Sequence, residues 1–141
     1  MTIVITGGSG FIGSQLSKRL VGMGHTVIVV DIVPPSFTHE HLFFINCDIT
    51  EQALPYGIPE KTDAIINLAG RSVFGKWTPK VKGEILRSRI QSTKHIVESI
   101  ASATTKPSAF ICASAIGFYG DTGDTTADEQ APHGTGFLSE V

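Results

Sequence analysis

Thr2-Ile-Val-Ile-Thr-Gly-Gly-Ser-Gly-Phe-Ile-Gly13 is the stretch that decides the fold. Its first five residues are uncharged and mostly β-branched, the length and character of a strand buried on both faces of a parallel sheet. The run then breaks into glycine. Gly8, Gly10 and Gly13 satisfy G-x-G-x-x-G, and Gly7, Gly10 and Gly13 satisfy the wider G-x-x-G-x-x-G. Either spacing has the same mechanics: one glycine allows a tight turn, a second lets a diphosphate approach the backbone, and a third lets the next helix lie close to the strand. The segment Gly7, Gly8, Ser9, Gly10, Phe11, Ile12 and Gly13 therefore reads as a phosphate cradle whose helix presents free N–H groups and a positive dipole end.

The flanking sequence supports this reading. A helix with apolar positions Ile12, Leu16, Leu20 and Met23 is expected after the loop, and His25-Thr-Val-Ile-Val-Val-Asp31 reads as a second buried strand. Asp31 lies 18 residues beyond Gly13, about where a carboxylate accepts hydrogen bonds from an adenosine ribose. Without the glycines, the same aspartate would read as a strand-ending turn residue.

At 141 residues the chain fits one domain, here residues 1–141, and a globule of this size buries roughly two-thirds of its unfolded surface. A formal charge of −2, with no run of lysine or arginine, gives no electrostatic footprint for nucleic acid or for an anionic membrane. No apolar stretch approaches the ~20 residues needed to span a bilayer, and the chain opens on a core strand, so a cytoplasmic setting is expected. Cys47 and Cys112 fall at the end of one expected strand and inside another, where thiols pack as small hydrophobes. His39 and His41 stand in a polar loop, and no metal site is expected.

Further along, Leu42 to Asp48 reads as a third strand, with Asp48 placed either at an adenine edge or in a plain turn. Pro55, Gly57 and Pro59 keep any helix in 51–61 brief. Asp63 to Gly70 is the fourth strand, and Leu68, Ala69 and Gly70 should line a ligand at the carboxyl edge of the sheet. Thr78-Pro79 reads as N-cap and first residue of a helix reaching about Ala103, with Leu86, Ile90, Thr93, Val97 and Ile100 as its buried stripe. Ser108 to Ser114 is the fifth strand, followed by a loop and a last short helical start at Phe137. Five strands in β-α-β alternation give an α/β, Rossmann-like doubly wound parallel sheet in the order 3-2-1-4-5.

Taken together, Gly-Gly-Ser-Gly-Phe-Ile-Gly, Asn67-Leu-Ala-Gly70, Lys76-Trp-Thr, Ser88-Arg89 and Ser114-Ala-Ile-Gly-Phe-Tyr-Gly-Asp121 resemble the extended short-chain dehydrogenase/reductase superfamily. More narrowly, the chain resembles the atypical branch of NAD(P)-dependent epimerase-family proteins that lack Tyr-x-x-x-Lys. The resemblance implies a dinucleotide bound over Gly7 to Gly13, with further contacts from Leu68, Ala69, Glu84 and Arg89. It also implies an unidentified nucleotide-sugar or carbonyl substrate. Two departures stand out. The branch usually places a small polar residue and an arginine after strand two, suited to the 2′-phosphate of NADP, whereas this chain has Asp31 and Ile32. A carboxylate there repels a phosphate, so the residues favour NAD, with NADP as the alternative.

The second departure concerns the proton chemistry. The superfamily uses Tyr-x-x-x-Lys with a serine or threonine partner, but Phe137 and Val141 occupy those two positions, as is usual for the branch. Ser114, or Ala115 beside it, matches the serine block and Tyr119 is the only nearby phenol, so Ser114 and Tyr119 are the catalytic candidates, neither with a lysine in the right place. The resemblance covers the N-terminal half of such proteins. It implies a sixth strand and a substrate domain outside this chain, an isolated half without activity, and an uncovered sheet edge through which two copies could pair. Two other readings remain: a dinucleotide-binding or sensing module without catalysis, and a fold-level relative that binds a mononucleotide or adenosyl ligand.

Overall fold

The computed structural model describes residues 1–141. Five strands form one parallel sheet: β1 (Thr2–Thr6), β2 (Thr26–Asp31), β3 (Leu42–Asn46), β4 (Ala64–Asn67) and β5 (Ala109–Cys112). They lie in the order β3-β2-β1-β4-β5, as the alternation of the sequence predicts. In register, Val4 stands beside Ile28 on one side and Ile65 on the other, and Val29 beside Phe44. Helices α1 (Phe11–Gly22) and α2 (Pro79–Ser102) are the long crossovers, and α3 (Phe137–Glu140) is a single turn.

Side chains alternate across the sheet, so each face has its own core. On one face Ile3, Ile5, Val27 and Val29 pack with Val21 of α1. On the other, Val4, Val30 and Ile65 pack with Ile96 of α2 and with Cys47, Ile49 and Leu54. Between β3 and β4 a second crossover helix is replaced by turns and one 3-10 turn at Pro59–Lys61. The prolines and glycine of that segment account for this, and its side chains still fill one face of the core. Thr78 caps α2 by accepting the Val81 amide at 3.3 Å, and Pro79 takes the first helical position.

Both long helices are rotated about one residue from the stripes expected of them. Gly13, Ser17 and Val21 are the buried positions of α1, while Ile12 and Met23 are 63% and 58% exposed. On α2 the buried line is Ile85, Ser88, Ser92, Ile96 and Ser99, with Ile90 and Val97 about half exposed. The reason is size: small residues facing the sheet let the helix axis approach it, and the bulkier neighbours are pushed to the flanks. Cys112, expected to be packed, is exposed because β5 is an edge strand, whereas Cys47 is buried. Ile111 is also half exposed there. Residues expected to be loop after β5 include a 3-10 turn, Ile116–Tyr119, against which α3 rests.

Ser17 is fully buried and its hydroxyl has no partner. Ser17→Ala is therefore expected to be neutral or stabilising in urea unfolding, whereas Ile96→Ala should cost about 2–5 kcal/mol. A marked loss with Ser17→Ala would mean that the hydroxyl is satisfied after all.

Candidate functional site

The β1–α1 turn is held by backbone geometry. Gly7 has φ +70°, and a Cβ on it would lie 2.7 Å from the Leu68 carbonyl carbon and the Ala69 nitrogen. Only glycine fits both demands. A Cβ on Gly13 would sit 2.6 Å from the Gly8 Cα, so the helix start rests directly on the turn. The turn is tied to β2 by the Gly7 amide, which donates to the Val30 carbonyl at 2.9 Å. Gly10 caps α1 without a side-chain bond, and the first helical turn has no acidic residue. The amides of Gly8, Phe11, Ile12 and Gly13 have no acceptor within the chain. Such a set of unpaired donors at a helix start suits an anion.

Asp31 reaches this turn from the end of β2. Its Oδ2 accepts the Ser9 amide at 3.0 Å, and its Oδ1 accepts the amides of Ile32 at 2.8 Å and Val33 at 3.3 Å. The Ser9 hydroxyl donates to the Val33 carbonyl at 2.6 Å, which fastens the loop to β2 a second time. The carboxylate thus fills a nest of three amides that would otherwise welcome an external anion.

A cleft of about 660 Å³ runs along the carboxyl ends of β3, β2, β1 and β4. Gly7, Ser9, Gly10, Asp31, Ile32, Asp48, Leu68, Ala69, Gly70 and Glu84 line it, so ten of the positions expected from the sequence converge on one space. Gly8 and Gly13 lie buried beneath the turn, while the Phe11 and Ile12 side chains point to solvent. Arg89 does not line the cleft. Its guanidinium donates to the Arg71 carbonyl at 3.2 Å and lies close behind Gly70. Ser114 and Tyr119 are also outside the lining, and the Tyr119 ring stands edge-on to Phe118.

Several lining residues have no cofactor role in the reading of the sequence. Ser88, rather than its neighbour Arg89, faces the cleft and accepts the Arg71 amide at 2.9 Å. Thr50 lines it beside Asp48, whose Oδ1 accepts both the Thr50 amide and its hydroxyl at 2.9 and 2.7 Å. That Asx turn was legible in Asp48-Ile-Thr50. Glu51, Arg71 and Arg87 complete the rim, with Arg71 paired to Glu84 at 3.1 Å and Arg87 to Glu51 at 3.0 Å. Four carboxylates (Asp31, Asp48, Glu51, Glu84) against two guanidiniums (Arg71, Arg87) leave the walls net negative.

Beneath the β4 wall, Asn67 is 3% exposed and joins four elements. Its Oδ1 accepts the Thr6 hydroxyl at 2.7 Å and the Ala69 amide at 3.1 Å, and its Nδ2 reaches Ser92 and Thr93 of α2 at 3.3 and 3.2 Å. The Cys112 sulfur lies 3.6 Å from the same nitrogen. This network sets the direction in which Leu68 to Gly70 leave the sheet.

Residues 3–136 match the NAD dependent epimerase/dehydratase family. The chain belongs to that family. Among curated relatives of this family member, the epimerase family protein YfhF of Bacillus subtilis is 36% identical over 142 residues, covering 100% of this chain and 46% of the relative. The chloroplastic SDR39U1 homolog of Arabidopsis thaliana is 33% identical over 100% of this chain and 42% of its own length. The chain thus spans less than half the length of these relatives. Among solved structures, human epimerase family protein SDR39U1, determined with NADPH, aligns over 99% of this chain and 45% of its own, with TM-score 0.79 and 26% identity. A UDP-galactose 4-epimerase aligns over 99% and 47%, with TM-score 0.81 and 25% identity. The resemblance to extended short-chain dehydrogenases/reductases, and to the N-terminal half of one, agrees with these findings.

Asn67→Leu keeps the volume but leaves the Thr6 hydroxyl and the Ala69 amide unpaired. The substitution should lower unfolding free energy by at least about 1–3 kcal/mol in urea titration; an unchanged midpoint would show the network to be dispensable.

Proposed function

We propose that this chain binds an NAD-type dinucleotide along the cleft and serves as the cofactor-binding half of an epimerase- or dehydratase-like oxidoreductase acting on a nucleotide-sugar or carbonyl compound. The observation that carries the reading is the pairing of the glycine turn with Asp31. Unpaired amides at the start of α1 suit a diphosphate, and the adjoining carboxylate, held 3.0 Å from the Ser9 amide, suits a ribose. Family membership supports the same cofactor class. In this arrangement the nucleoside base extends past Asp31 and Ile32 toward Asp48, and the nicotinamide lies toward Leu68, Ala69 and Gly70. The cofactor when bound supplies hydride transfer; the chain's residues bind it and orient it.

Asp31 also argues for NAD over NADP. A 2′-phosphate would meet a carboxylate that already holds the three available amides, inside a cleft of net negative charge. NADP is the alternative cofactor for this chain. Arg89 acts here as a buttress of the Gly70–Arg71 turn rather than as a cofactor ligand.

A second reading, a dinucleotide-binding module without catalysis, is favoured by one contact. Phe137 stands at the expected tyrosine position with its ring edge-on to Trp77 at 5.6 Å, and phenylalanine has no proton to exchange. The exposed Ser114 and the Tyr119 phenol lie outside the cleft lining, so neither touches the space assigned to cofactor.

Titration with NADH should give saturable enhancement of dihydronicotinamide fluorescence, and a flat response up to millimolar cofactor would refute dinucleotide binding. Asp31→Ser should shift the NADH-to-NADPH affinity ratio toward NADPH by roughly tenfold or more, the scale of a lost charge-assisted hydrogen bond. An unaltered ratio would detach Asp31 from the ribose. Hydride exchange with a nucleotide sugar or carbonyl compound by a full-length relative would separate the enzyme from the module.

A further inference from the structure

Two ion pairs cross from α2 to the loops that wall the cleft, and they differ in surroundings. Glu84 pairs with Arg71, next to a turn already fixed by Ser88 and Arg89, and Lys80 lies 4.0 Å from the same carboxylate. Arg87 and Glu51 form the second pair, at the β3 end. One guanidinium nitrogen of Arg87 lies 3.0 and 3.1 Å from the two Glu51 oxygens, and both residues line the cleft. With side chains 63% and 59% exposed, this bridge contributes little to folding. Nor is it needed to hold the 48–54 segment on α2. His95 Nδ1 meets the Ile49 carbonyl at 2.8 Å, and the Ser99 hydroxyl accepts the Leu54 amide at 3.0 Å. What the bridge adds is an exposed tie at the rim of the cleft, between the turn after β3 and α2.

Resting on the proposed dinucleotide reading, we infer that the Arg87–Glu51 pair is a clasp over the adenine end of the cofactor and that its opening governs release. The direction follows from the sheet. The diphosphate lies over β1, the ribose by Asp31 at the end of β2, and the base continues toward β3, where Asp48, Thr50, Glu51 and Arg87 all line the cleft. A surface ion pair separates readily and is screened by salt, properties suited to a clasp and poor for a permanent staple. Neither residue needs to donate to the base. Closing the rim slows departure while leaving the encounter with the open end largely unaffected.

The test is stopped-flow release of NADH from the 141-residue chain, comparing wild type with Arg87→Gln, Glu51→Gln and the charge-exchanged double variant R87E/E51R. Each single variant should release NADH about two- to fivefold faster with little change in association rate. The exchanged pair should recover slow release, and added salt should accelerate wild type but not the single variants. AMP and ADP-ribose should show the same sensitivity, whereas nicotinamide mononucleotide, which does not reach β3, should not. Unchanged thermal midpoints keep misfolding out of the comparison. Single variants that release at the wild-type rate, or a double variant as fast as the singles, would overturn the clasp and leave dinucleotide binding intact. A wild-type chain that binds no NADH would remove both.

Discussion

Backbone lies directly against backbone where the β1 turn meets the end of β4, and the rest of the cleft depends on that contact. Gly7 approaches the Leu68–Ala69 peptide so closely that no side chain fits between them, and its positive φ turns the chain toward α1. Two loops from different strands thereby become one continuous floor. Asn67 fixes the β4 side of this floor from below, and Asp31 fixes the β1 side from the flank. A polar ligand laid on it meets amides whose positions are set before it arrives, which lowers the ordering cost of binding.

The two helices obey the same logic of close approach. Gly13 and Ser17 on α1, and Ser88, Ser92 and Ser99 on α2, face the sheet because small residues shorten the distance between layers. Ser17 has no partner, but the α2 serines find acceptors. Ser88, Ser92 and Ser99 donate back to carbonyls one turn earlier in their own helix, while Ser88 and Ser99 also accept from loop amides. The same hydroxyls that allow tight packing therefore position the loops around the cleft. Packing and site construction share residues rather than dividing them.

The fold was legible because strand order depends on coarse features: short β-branched runs, glycine and proline breaks, and two long crossovers. The placement of the glycine turn, Asp31 and Leu68 to Gly70 around one cleft was legible because backbone geometry sets it, and residue type reports that geometry directly. The faces of the helices were misread by one position. Apolar periodicity weights Leu86, Ile90 and Val97, but the closest layer contact belongs to small residues that a hydrophobicity count ignores. Glu51, Arg71 and Arg87 were missed for a different reason. A charged side chain on a helix or in a turn carries no mark of the partner it meets across a gap, since that partner is distant in sequence. Arg89 carries a second set of partners that its residue type does not announce, the Arg71 and Ile85 carbonyls.

The single tryptophan offers one more consequence. Trp77 bonds through its indole nitrogen to the Val73 carbonyl at 2.7 Å, meets the Phe137 ring edge-on, and has the Lys82 ammonium 5.9 Å from its centroid. The chromophore thus joins the segment leading into α2 to the distant turn at Phe137. Detaching α3 would take the Phe137 ring from the indole while Lys82 stays on α2, so the molecule carries its own optical gauge of whether that turn is seated.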